Sequence, residues 1–105
     1  MERQHAKQKM IKDINSDDLR IQVTGFVNEI ENNNSFILND KTGSIKVNIE
    51  EYNFNFKEND LINVIGEYHI TTSGEKIIEA EIIQDMKNLN FKYYQQLYEL
   101  KKELL

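Results

Sequence analysis

The 105-residue sequence has no cysteine, no proline and no tryptophan, and only four glycines and two histidines. Without cysteine there is no disulfide staple, no thiolate metal site and no cysteine nucleophile, a pattern that fits an intracellular protein. His5 and His69 stand at unrelated positions and supply no metal cluster. No apolar run approaches the roughly 18 residues that span a bilayer, and the opening Met-Glu-Arg-Gln-His-Ala-Lys-Gln-Lys has no apolar stretch of signal-peptide length. The chain is therefore expected to be neither membrane-bound nor exported. There is no glycine-rich phosphate loop and no serine beside a base, and the carboxylates are scattered over strand exteriors and turns. No catalytic role, cofactor, metal or small-molecule substrate is expected. A chain of this size sustains one core but has little left over for a deep cleft, which makes a binding or structural module the default.

Charge of one sign is also scarce where it would be most telling. The formal net charge is −5, but residues 1–12 carry +3, residues 13–85 carry −10 and residues 86–105 carry +2. Nucleic-acid affinity is largely phosphate neutralisation by Lys and Arg, so a body at −10 repels a polyanion unless its few cations gather on one face.

What is present is a series of period-2 runs. Leu19, Ile21, Val23, Gly25 and Val27 fall on one side of a long strand, with Arg20, Gln22, Thr24, Phe26 and Asn28 on the other. Gly25 inside the strand predicts a sharp bend or a close backbone approach. After the polar loop Asn32-Asn33-Asn34-Ser35, the strands Phe36-Ile37-Leu38 and Ile45 to Ile49 flank a turn ending in Gly43, a glycine suited to positive φ. Tyr52, Phe54 and Phe56 read as a connection that plugs one end of the core. Leu61 to Ile70, with interior Gly66, and Lys76 to Ile83 complete five strands, joined by the turn Thr71 to Glu75.

At Leu89 the period becomes helical. Asn90 is the expected N-cap, and no glycine or proline interrupts Phe91 to Leu105. Lys92, Gln95, Gln96, Glu99, Lys102 and Glu103 share one arc, and the opposite half is apolar. That half is wider than the roughly 100° stripe a helix needs to lean on its own barrel. One edge, near Phe91, Tyr94 and Tyr98, is expected to pack on the barrel, leaving Tyr93, Leu97, Leu100 and Leu104 for a partner, with the reverse assignment of the two edges also open. Lys101 lies inside the apolar half, where it can snorkel and meet the helix dipole. The chain thus divides into a flexible basic arm (1–15), a barrel (16–86) and an oligomerisation helix (87–105).

The order of elements, with Val23-x-Gly25-x-Val27, Phe36-x-Leu38-x-Asp40-x-x-Gly43-x-Ile45-x-Val47, Asn59-Asp60-x-Ile62-x-Val64-x-Gly66 and Ile78-x-Ala80-x-x-Ile83, resembles the oligonucleotide/oligosaccharide-binding (OB) fold over residues 19–83. With Ile11-Lys12-Asp13-Ile14 before the barrel and one amphipathic helix after it, the chain resembles the smaller subunits of replication protein A, eukaryotic or archaeal. The resemblance implies an all-β, five-stranded OB barrel plus one C-terminal amphipathic helix. It also implies other OB-fold subunits as partners, held through that helix, and an intracellular setting, nuclear if eukaryotic and cytoplasmic if archaeal.

In OB folds the ligand lies across the second and third strands and between the first-second and fourth-fifth loops. With Phe36, Leu38, Ile45 and Val47 facing the core, the candidate nucleic-acid residues are Phe26, Asn34, Ile37, Asn39, Lys46, Asn48 and Lys76. Single strands want stacking planes interleaved with cations, and the supply here is thin. Phe26 serves either as a stacking platform or as packing under the N-terminal arm or a partner, and Asn32 to Asn34 as a polar turn or a base reader. His69, with Glu67 on the same strand face, reads as a surface histidine. Single-stranded DNA is expected to bind the isolated chain weakly, in the micromolar range or above. Two other readings stay open: a protein-interaction OB module of a telomere-capping or recombination complex, and a free-standing RNA- or tRNA-binding OB protein.

Overall fold

The computed structural model describes residues 6–32, 34–49 and 55–104. Asn33, Tyr52, Phe54, Leu105 and the first five residues of the basic arm lie outside the described residues. In chain order the elements are β1 (Lys7–Gln8), a single 3-10 turn (Ile11–Asp13), β2 (Arg20–Asn32), β3 (Ser35–Asn39), β4 (Ser44–Asn48), β5 (Leu61–Ile70), β6 (Lys76–Asp85) and α1 (Phe91–Leu104). Strands β2 to β6 close a barrel in the order β2-β3-β4-β6-β5, with β5 returning to β2. The β4–β6 contact is parallel and the other barrel pairings are antiparallel, which makes this the five-stranded OB barrel that the sequence pattern implied.

The long strand β2 is shared. Its first half, Arg20 to Phe26, pairs with β5, and from Phe26 onward it pairs with β3. Gly25 sits at the handover, where a Cβ would lie 2.8 Å from the Asn39 carbonyl oxygen. Only a residue without a side chain lets the two backbones approach so closely. Gly66 does the same on the other seam: β6 bulges at Glu81, opposite Ile65 and Gly66, and the backbone of Glu79 and Ala80 fills the space that a side chain would need.

The alternating residues fill the barrel. Ile21, Val23 and Val27 of β2, Phe36, Leu38, Ile45 and Val47 of the hairpin, Ile62, Val64 and Tyr68 of β5 and Ile78 of β6 form one buried cluster. Each such apolar side chain contributes about 1.5–3 kcal/mol on leaving water. Phe56, from the connection expected to plug the core, packs against this cluster.

Three details differ from the sequence reading. Leu19 is 60% exposed rather than inward: it stands just before β2, after the turn at Ser16 and Asp17 in which the buried Asp18 accepts the Asn15 N–H at 2.9 Å. In the β3–β4 hairpin the positive φ belongs to Lys41 (73°), not to Gly43. Gly43 instead makes room for the Ile11 side chain, whose Cγ2 lies 3.1 Å from where a Cβ would be. Finally, residues 6–15 are not a free arm. β1 adds to β2 in parallel, Met10 is buried, and the Ile11 N–H donates to the buried Asp40 carboxylate at 2.7 Å.

Candidate functional site

The outer face of β3 and β4 carries the expected ligand residues. Ile37 lies opposite Lys46, Asn39 opposite Ser44, and Ser35 opposite Asn48. Lys76 at the start of β6 is exposed and precedes Ile77, the register partner of Lys46. The face therefore brings Ile37, Asn39, Lys46 and Asn48 together, whereas Lys76, exposed at the start of β6, falls by alternation on the side of Ile78 rather than with Ile77 and Glu79; the face also brings carboxylates that the sequence reading missed. The Lys46 ammonium lies 3.6 Å from Glu31. The Asn48 amide donates to Glu79 at 3.1 Å, and the same Glu79 oxygen lies 3.3 Å from His69 Nε2. His69 thus meets Glu79 across the strands rather than Glu67 on its own strand. The Asn39 side chain is spent within the hairpin, its amide donating to Ser44 at 2.9 Å and its carbonyl accepting the Lys41 N–H at 2.8 Å.

Phe26 stands apart from this group. Its ring meets Phe91 edge-on, with centroids 5.0 Å apart at 69°, and the Lys41 ammonium lies 5.0 Å from its centroid. Phe91 in turn stacks on Tyr94 at 5.9 Å. Among the described residues it is the first turn of α1 that covers this ring. Asn34 is also separate, exposed in the β2–β3 turn with its carbonyl accepting the Ile49 N–H at 2.8 Å.

Helix α1 begins as its sequence dictates, with the Asn90 side chain accepting the Tyr93 N–H at 3.1 Å. Its inner edge lies over the hairpin turn and the N-terminal segment. The Tyr94 hydroxyl accepts from the Gln8 amide at 2.8 Å, and Gln95 donates to the Asp40 carbonyl at 3.2 Å. Tyr98, buried, donates its hydroxyl to Asp13 at 2.8 Å, and Lys102 donates to the same carboxylate oxygen at 3.0 Å. Lys12 bridges to Glu99 at 2.7 Å. Burial alone pushes the Asp13 carboxyl up, but the hydrogen bonds from Lys102 and Tyr98, with the charges of Lys102 and Lys12, hold it below its ordinary value. The Tyr98 hydroxyl is pushed up to about 12, first by burial and then by the neighbouring carboxylates of Asp13 and Glu99. It is a fixed donor at neutral pH.

The outer edge of α1 is bare in this chain. Tyr93 is 58% exposed, Leu97 38%, Leu100 51% and Leu104 77%. Their spacing of four, three and four residues is that of a coiled-coil seam. Lys101 follows Leu100 on one shoulder of this stripe and Glu103 lies on the other.

No protein-family model and no curated protein matches the sequence. Solved structures do match. A chain of the S. pombe Stn1-Ten1 complex superposes with TM-score 0.77 at 18% identity, over 95% of this chain and 94% of that one. The telomere capping protein Ten1 from Saccharomyces pombe gives TM-score 0.77 at 18% identity, over 94% and 99%. A chain of a replication protein A heterotrimer bound to single-stranded DNA gives 0.67 at 16% identity, over 82% and 72%. At these identities the likeness is one of fold, and the fold is the OB barrel with a terminal helix.

Proposed function

We propose that this chain is a small, non-catalytic OB-fold subunit of a multi-subunit complex that handles single-stranded DNA, joined to its partner through the outer stripe of α1. The observation that carries the reading is the stripe itself: four large side chains at seam spacing, on a helix whose other edge is already used by the barrel. Soluble proteins seldom leave such a row uncovered without a use for it. The outer sheet face supports the assembly role over an autonomous one, since Glu31 and Glu79 engage Lys46, Asn48 and His69 and leave little there to neutralise phosphate.

Two kinds of complex fit, one like replication protein A and one of the telomere-capping kind. The second is favoured by extent: the Ten1 match covers nearly the whole of both chains, whereas the replication protein A match covers 72% of its counterpart.

The test is co-purification from the source cells with identification of the bound chain, followed by the double change Leu97→Ala, Leu104→Ala. Both residues are exposed, so the isolated chain should melt as before. A leucine buried at an interface is worth about 2 kcal/mol or more against alanine, so the partner should bind at least about 100-fold more weakly. Recovery of the native chain as a partner-free monomer, or unchanged affinity in the double variant, would overturn the reading.

A further inference from the structure

The two cationic ends of the sequence, far apart in the chain, are folded onto one edge of the molecule. A cleft of about 590 Å³ opens between the N-terminal segment and the last turn of α1; its described lining includes Lys9, Lys12, Lys101 and Lys102 with Asp13, and Asp18 and Glu99 pair with these lysines from beside it, which leaves a surplus of one cation. The Tyr98 side chain forms part of its wall. Lys9 is held in place, its ammonium 3.3 Å from the Asp13 carbonyl oxygen and 3.6 Å from Asp18. Lys12 and Lys102 are held by Glu99 and Asp13. Lys101 is exposed and has no carboxylate within bridging distance among the described residues. The outer sheet face has no such surplus, because Lys46 faces Glu31 and Glu79 stands beside Asn48 and His69.

We propose that this cleft, away from the outer sheet face, is a phosphate-chain site that takes the sugar-phosphate backbone of a single-stranded nucleic acid without reading its sequence. The inference rests on the reading above only in that a single strand is the ligand of the complex. The chemistry of the lining suits a phosphate chain. Its described cations are lysines, which bind phosphate oxygens as point charges without fixing a base or a sequence, and the decaglutamate arm of the experiment below separates phosphate from carboxylate. No aromatic ring stands free in the cleft to stack a base, since Tyr98 is buried and hydrogen-bonded to Asp13.

The experiment titrates the full-length chain into a labelled 15-residue oligothymidine between 20 and 200 mM salt, following fluorescence anisotropy. For single strands the slope of log affinity against log salt is about −0.7 per phosphate neutralised, so two or three contacts give about −1.4 to −2. Lys101→Gln should lower affinity several-fold at 20 mM salt and reduce the slope by about 0.7, one phosphate contact. Lys101→Arg should restore both, and the double change Lys46→Gln, Lys76→Gln should alter neither. The proposal falls if Lys101→Gln is silent, if the double change at Lys46 and Lys76 abolishes binding, if no binding is measurable at 20 mM salt, or if a decaglutamate peptide binds more tightly than an oligothymidine of equal charge. Because the isolated chain is used, failure here leaves the subunit reading standing, and absence of a partner leaves this site standing.

Discussion

Asp13 ties the N-terminal segment to the terminal helix, and its removal should loosen the helix without opening the barrel. One oxygen of its carboxylate accepts from both Tyr98 and Lys102, at 2.8 and 3.0 Å. A hydrogen bond to a charged group contributes about 1.5–3 kcal/mol, and loss of the acceptor leaves the Tyr98 hydroxyl without its partner in a buried position. Asp13→Ala should therefore cost about 2 kcal/mol, and Asp13→Asn, which keeps an acceptor but loses the charge, about 1 kcal/mol. The exposed ammonium of Lys102 adds little because water screens it. The sign with pH follows from the direction of the shift. The carboxyl is held below its unfolded value of 3.8, so its contribution is fully present above that value and is lost as pH falls through the lower folded value.

Urea unfolding followed by circular dichroism at 222 nm, at pH 7, 5 and 3, reads both effects. The native chain should lose more stability between pH 5 and 3 than the Asp13→Asn variant does. Equal acid losses in the two, or an Asp13→Ala variant as stable as the native chain at pH 7, would show that the helix is held by something other than this carboxylate.

The two seams of the barrel predict a graded response to alanine. Gly66→Ala drives a methyl into the backbone of Glu79 and Ala80, which cannot move aside, and should cost about 3 kcal/mol, whereas Gly43→Ala meets only the Cγ2 methyl of the Ile11 side chain, at 3.1 Å, and should cost less, about 1 kcal/mol; equal shifts in thermal melting would refute the geometry. Phe26→Ala should lower stability by about 2 kcal/mol through its lost contact with Phe91, yet leave oligothymidine affinity unchanged, while a stacking platform would lose about 1–3 kcal/mol of binding per base.

Much of the barrel is legible because a strand with one face in a core has to alternate. The inward residues from Ile21 to Val27 and from Phe36 to Val47, and the glycines at both seams, follow from period and from the absence of a side chain where backbones meet. The helical period also sorts Phe91, Tyr94 and Tyr98 from Tyr93, Leu97, Leu100 and Leu104, but which of the two groups meets the barrel is not encoded in the period; the contact of Phe91 with Phe26 and of Tyr98 with Asp13 decides it. What the sequence hides is anything that depends on which strands become neighbours. The meeting of Asn48 and His69 at Glu79 requires the parallel contact of β4 with β6, and no local signal encodes that contact. The docking of residues 6–15 was equally hidden, because Asp13, Asp18 and Asp40, scattered in the chain, supply the acceptors that turn a basic, polar stretch into a packed one.

The polar character of that docking bears on how the outer stripe works. Besides buried Tyr98 and the contact of Phe91 with Phe26, the ties on the inner edge of α1 are hydrogen bonds and ion pairs that involve exposed or half-buried groups. Such ties fix direction more than they add stability, since an exposed ion pair contributes about 1 kcal/mol at most. The helix is therefore held at a defined angle but with modest free energy, and the larger apolar term is left on the side away from the barrel. A partner helix that covers Tyr93, Leu97, Leu100 and Leu104 supplies that term, and by mass action it stabilises the docked form by about 2.7 kcal/mol when present at one hundred times its dissociation constant. On the proposed subunit reading, Asp13 and its neighbours set the direction of the helix, and a partner helix would complete the hydrophobic seam along Tyr93, Leu97, Leu100 and Leu104.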